Sequence, residues 1–386
     1  MPENVFRWPY GGAGLGGGSG HRVLSDSTLT PSVSPGGRGS FETRSRLSKR
    51  RSSGFTLIEL LVVISIIALL VSILLPSLSK ARMMAKSVKC AANQKNVGTA
   101  MALHLLESKG KYPPSYVYPT NSYGAYQLRN QPDNHPDGYM HWSWYLYGKG
   151  EANAEAFQCP QMENGGAPRT NPGPDGENWE ARQIDQNGDT SANPLEDKQA
   201  PRMALTANAA IIPRNKFTTE LSEGPRVNVL VSDSEIKRPG STILITEFNE
   251  NWVGAGVQEG GGILSKSHRP VNPFYHIGSG TDEYAAAPRT PGFMYGPPED
   301  RVNFGLAPYR VVRNATGLIE GSVGPETNVV GRHHSGGDKI MGGTANFLYV
   351  DGHVDRKTIL DTMKHQEWGA KYYSITGRNE VLGVRE

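Results

Sequence analysis

The chain has 386 residues, with 40 Lys and Arg against 37 Asp and Glu, a formal net charge of +3. Eight of the basic and three of the acidic residues fall in positions 1–54, so the other 332 residues carry about −2. A mildly acidic body lacks the basic footprint of a nucleic-acid binder, and no nucleic-acid partner is expected. The length suits one sizeable domain or two small ones, and 46 Gly with 27 Pro predict short elements joined by long loops.

In chain order, residues 1–54 come first, a basic stretch rich in Gly (Gly11, Gly12, Gly14, Gly16) and Ser, without apolar periodicity. Such composition buries no core and predicts a disordered leader. Either this leader is unusually long or translation starts downstream. Next, Phe55 to Leu75 is a run of 21 residues interrupted by one carboxylate, Glu59. A helix of that length crosses a hydrocarbon core of roughly 30 Å. The flanking Arg44, Arg46, Lys49, Arg50 and Arg51 predict a cytoplasmic N-terminus, with everything beyond about residue 76 on the far side. A carboxylate inside such a span is expensive, so Glu59 calls for a partner.

The junction Gly54-Phe55-Thr56-Leu57-Ile58-Glu59 resembles the processing site of type IV prepilins and type II secretion pseudopilins. The resemblance implies that a membrane prepilin peptidase cuts between Gly54 and Phe55 and methylates the Phe55 amine. It also implies that Glu59 neutralises the amine of a neighbouring subunit, and that Pro76 stands where the family often has proline. The alternative is an ordinary signal anchor that merely tolerates Glu59.

From residue 77 to 112 the helical period continues, with Leu78, Ala81, Ala85, Val88, Ala92, Met101 and Leu105 on one face and Lys80, Arg82, Lys86, Lys89 and Lys95 on the other. Pro76 is expected to kink this helix rather than end it. Gly110 and Pro113-Pro114 are expected to stop it. The body, 113–386, offers strand-like runs at His141–Tyr147, Val227–Ser232, Ser241–Phe248 and Ala345–Val350. Alternation in the first puts Trp142 and Trp144 on one face and Tyr145 and Tyr147 on the other. Residues 161–200 and 249–300 read as surface loop insertions.

Cys90 and Cys159 are the only cysteines, both beyond the span, where disulfides persist. They either bridge, stapling helix to body, or remain buried thiols; the bridge is the expectation. Phe157-Gln158-Cys159-Pro160 resembles a recurring element of the pseudopilin-like family, as does the stretch from Ile236 to Leu244. Near the C-terminus, His334 and the run Asn346-Phe347-Leu348-Tyr349-Val350-Asp351-Gly352-His353 resemble a prepilin-type element in which nine residues separate a His from Asp-Gly. Here sixteen intervene, which implies an insertion near residues 338–342. The Asp-Gly pair itself predicts a tight turn.

Two metal readings arise. His333, His334, Asp338, Asp351, His353 and Asp355 are ligand types for Zn²⁺-like ions, but their spacing fixes no geometry, and a hairpin whose histidines bond loop backbone accounts for them. Asp185, Asn187, Asp189, Asn193 and Glu196 fall at positions 1, 3, 5, 9 and 12 of a calcium loop, although the glycine stands at position 4 rather than 6. Calcium is therefore possible, with a solvated acidic loop as the alternative; no cofactor is required. No nucleophile motif or phosphate loop is present, so no enzyme activity is expected.

These readings converge on an α+β fold, a long N-terminal helix packed on an antiparallel β-sheet with large loop insertions. The expected role is a single-pass inner-membrane pseudopilin-like subunit with its body periplasmic or extracellular. Its partners would be prepilin peptidase and other pilin or pseudopilin subunits, in a type II secretion or type IV pilus-like filament. The alternative is a membrane-anchored protein that binds polysaccharide or another macromolecule.

Overall fold

A computed structural model describes residues 55–119, 126–127, 137–148, 150–188, 190, 195–213, 228–259, 261–276, 293–295, 330–336, 343–375 and 379–384. The leader with Gly54, and the loop positions Asp189, Asn193 and Asp338, lie outside the described residues. The chain divides into two compact units, one reaching Leu78 and one taking up Ser79–Glu386.

Helix α1, Leu57–Glu107, runs as one α-helix through Pro76. Within the first unit its side chains are exposed throughout, from Leu57 to Leu78. Within the second unit its buried residues include Ser87, Cys90, Gln94, Val97, Met101 and His104, spaced alternately three and four apart. That spacing is one helical stripe, although half of it is polar. The expected apolar face is therefore corrected: Leu78, Ala81, Ala85, Val88 and Ala92 are exposed, Leu105 is half-buried, and only Met101 lies in the core. At the C-terminal end Gly110, with φ 77°, donates to Leu105 O at 2.7 Å and closes the last turn.

The stripe meets an antiparallel four-stranded sheet: β1 (Leu205–Ala207), β2 (Ile243–Glu247), β3 (Ala345–Tyr349) and β4 (Val354–Lys357), in the order β4-β3-β2-β1. Central strands β2 and β3 are buried along their whole length, so both faces carry a core. On one face Cys90, Val97, Ala100 and Met101 of α1 pack with Leu205, Ala207, Ile245 and Leu348. Gly98 sits so close that a Cβ there would lie 2.8 Å from Leu348 Cδ1. On the other face Ile243, Phe347 and Tyr349 join Phe274, Trp368 and Tyr372. Between β3 and β4, Gly352 takes φ 87° in the Asp351-Gly352 turn, a conformation glycine adopts without strain.

Three further expectations are corrected. The run His141–Tyr147 is not a strand: Asp137–His141 is, and Trp142–Tyr147 is helix α2. His141 caps α2, its ring accepting from Ser143 N at 3.2 Å. Trp142, Tyr145 and Leu146, at steps of three and four, form the buried face, so the two-faced aromatic strand does not exist. Around Val227–Ser232 the described residues make only isolated bridges, Asn228 with Ile375 and Ser232 with Lys111. Nor are 161–200 and 249–300 surface insertions throughout. Thr170, Asn171, Gln183, Asp185 and Asp197 are buried in the first, and Ile263, Leu264, His268 and Phe274 in the second.

Candidate functional site

One polar residue of the α1 stripe, Gln94, lies in a buried cluster against the sheet. Gln94 Nε2 donates to Ile245 O at 3.1 Å and Asn346 O at 3.3 Å. Beside it, Glu247 at the end of β2 accepts from Asn346 N at 2.8 Å and Asn346 Nδ2 at 2.9 Å. His334 Nε2 lies 2.8 Å from Glu247 Oε1, and its Nδ1 meets Gln161 Oε1. His333 places Nε2 3.8 Å from Glu247 Oε2 and Nδ1 3.6 Å from Glu250 Oε2. Burial pushes the Glu247 carboxyl up, but the His334 bond, the His333 and His334 charges and the Asn346 N–H outweigh it. The group is held below its ordinary 4.5.

Cys90 and Cys159 are joined by a disulfide on the edge of this cluster, with Cys159 Sγ 3.5 Å from His333 Nε2. The bridge ties α1 to the turn after Phe157. There Asn93 Nδ2 adds hydrogen bonds to Glu155 O at 3.1 Å and Gln158 O at 2.8 Å.

Of the six residues drawn as one metal cluster, Asp338 lies outside the described residues and the other five fall into separate places. His333 and His334 face Glu247 rather than loop backbone, which corrects that expectation. Asp351 and His353 stay at the hairpin turn, where Asp351 Oδ1 accepts from His353 N at 3.0 Å and meets its Nδ1 at 2.6 Å. Asp355 pairs with Lys357 at 3.3 Å. The sequence signal for Glu247, missed above, was local: a carboxylate closing the run Ile243-Leu244-Ile245-Thr246.

Of the calcium-loop residues, buried Asp185 folds back to accept from Asn187 N at 2.8 Å, an Asx turn. Glu196 is ion-paired with Arg169. The neighbouring Asp197 takes the N–H groups of Tyr139 and Asn171, at 2.6 and 2.9 Å.

At the start of α1, Phe55 is exposed and Thr56 precedes the first helical residue. Glu59 Oε2 accepts from Thr56 N and Thr56 Oγ1, both at 2.8 Å, while Thr56 Oγ1 accepts from Glu59 N at 3.2 Å. This reciprocal pair is a capping box, legible in the spacing Thr56-Leu57-Ile58-Glu59 but missed by a reading that sought only a distant partner. Further along, Ser65, Ser72 and Ser77 return their hydroxyls to Val62 O, Leu69 O and Leu74 O, so the helix takes up its own polar groups. The helix is long and apolar enough to cross a membrane.

Residues 49–75 match the prokaryotic N-terminal methylation motif. The match spans Lys49, Arg50 and Arg51 of the basic flank, the Gly54-Phe55 junction, the Thr56–Glu59 box and the apolar run. It supports a pilin-like protein processed by prepilin peptidase. Among the described residues one helix is apolar enough to cross a membrane, and with this motif it fits a single-pass membrane anchor. No curated protein and no solved structure matches the chain.

Proposed function

We propose that the chain is a pseudopilin-like filament subunit of a type II secretion or type IV pilus-like system. Prepilin peptidase cuts after Gly54 and methylates the Phe55 amine, and the subunit is drawn from the inner membrane into a filament. The body then stands in the periplasm or beyond. The observation that carries this reading is Glu59, the one carboxylate in an exposed apolar helix run that matches a methylation motif.

Before cleavage Glu59 is engaged by its own Thr56. Cleavage creates a cationic amine, and the amine of an adjacent subunit offers Glu59 a charge-assisted partner. Exchanging the neutral donor for the charged one offsets the cost of holding two charges in hydrocarbon and fixes the stagger between neighbouring helices. The test is mass spectrometry of the mature N-terminus: a methylated Phe55 supports the reading. A native chain that keeps residues before 55 rejects it and leaves a tethered protein.

A further inference from the structure

We propose that Cys90, Cys159, His334 and Glu247 form a metal site in the reduced chain, taking one zinc-class divalent ion, and that the disulfide is the closed form of the same pocket. Each of the four offers one ligand atom, all within 4.8 Å of one another, and all four residues are buried. Two thiolates, an imidazole and a carboxylate are the donor set of a borderline-soft ion in four-coordinate geometry.

The surroundings are those of a supported site. Gln161 Oε1 at His334 Nδ1 fixes that ring with Nε2 turned toward Glu247. Asn346 grips both Glu247 oxygens, through its N–H at 2.8 Å and its side-chain amide at 2.9 Å. Such outer partners orient the ligands, and the Gln161 acceptor raises the basicity of the His334 ring. The ligands come from α1, the turn after Phe157, β2 and the segment before β3, so an ion here would hold the two segments the bridge joins together with β2 and the segment before β3.

The two occupancies exclude each other. The chain is synthesised with both thiols reduced; exchange with a protein disulfide of an oxidising compartment passes two electrons and two protons to that disulfide, which leaves as a dithiol, and forms the Cys90–Cys159 bond. Metal binding removes the two thiol protons to solvent, leaves the sulfurs reduced, and forms two metal–sulfur bonds. The same cluster therefore gives the newly made body two alternative staples.

The test uses the full-length chain in detergent. A water-soluble phosphine breaks the Cys90–Cys159 bond, taking up oxygen from water to become the phosphine oxide and leaving two thiols. After the phosphine is removed anaerobically, cobalt(II) is titrated alone. The expected result is one cobalt per reduced chain, with thiolate charge-transfer and tetrahedral d–d bands that zinc abolishes, and none per oxidised chain. His334→Ala and Glu247→Gln are expected to weaken binding at least tenfold. Circular dichroism establishes that each variant is folded. Where a variant fails to fold, X-ray absorption on the zinc-loaded native chain decides instead: two sulfur and two lighter ligands support the site. Absence of stoichiometric uptake, equal uptake by oxidised chain, unchanged affinity in both folded variants, or a shell without sulfur would each overturn it.

Discussion

The side-chain amide of Gln94 reaches from α1 to the carbonyl oxygen of Ile245 in β2, 3.1 Å away, inside the core. The long helix is thus fastened to the sheet by a polar contact as well as by apolar packing. Gln94→Leu keeps comparable volume but removes the donor shared by Ile245 O and Asn346 O. Leaving buried acceptors without it is expected to cost about 1–3 kcal/mol, measured by urea unfolding.

Loss of the bridge should be larger. Cys90 and Cys159 are 69 positions apart, and closing a loop of that size stabilises by about 4 kcal/mol in the chain-entropy model. The Cys90→Ser, Cys159→Ser double variant is expected to unfold at correspondingly lower denaturant, with the difference abolished when both proteins are reduced in the absence of metal.

Glu59→Ala is expected to leave peptidase cleavage intact and to abolish cross-linked multimers in membranes. Glu59→Gln, which preserves a hydrogen-bond acceptor for Thr56 but has no charge, separates the two roles of this side chain. If the charge is what assembly needs, Gln fails as completely as Ala.

Acid should act on the body through two buried groups of opposite sense. Burial pushes His141 down from 6.5 to about 3, whereas burial lifts Asp197 from 3.8 to about 6 against the hydrogen bonds of Asn171 and Tyr139 and the charge of Arg169. A histidine held neutral costs stability as pH falls below 6.5, and a carboxyl held protonated adds stability as pH falls below about 6. His141→Asn retains a capping oxygen for α2 without the titration. Relative to the native chain it should gain about 1.4 kcal/mol per pH unit on acidification below 6.5, and nothing above pH ~7, in unfolding curves taken across pH.

The features legible in the sequence were those with local causes. The apolar length of α1, the Thr56-to-Glu59 spacing, strands Ile243–Glu247 and Ala345–Tyr349, and the turn at Asp351-Gly352 all follow from neighbours in the chain. What stayed hidden depended on partners far away. Gln94 is buried because backbone acceptors 151 and 252 positions later come to meet it, so an apolar count picked the wrong face of the helix. Asp197 is buried for the same reason, with its donor Tyr139 58 positions away. At 141–147 the failure was one of period. Trp142, Tyr145 and Leu146 fit a helical step as well as the aromatic alternation fits a strand, and the His141 cap decides between them.

The covalent link at Cys90 changes where tension can travel. A pull on the body at Cys159 enters the helix at Cys90 instead of unwinding it from its end at Glu107. A protease nick between Glu107 and Cys159 likewise severs no tether, because both fragments remain held through the sulfur bridge until it is reduced.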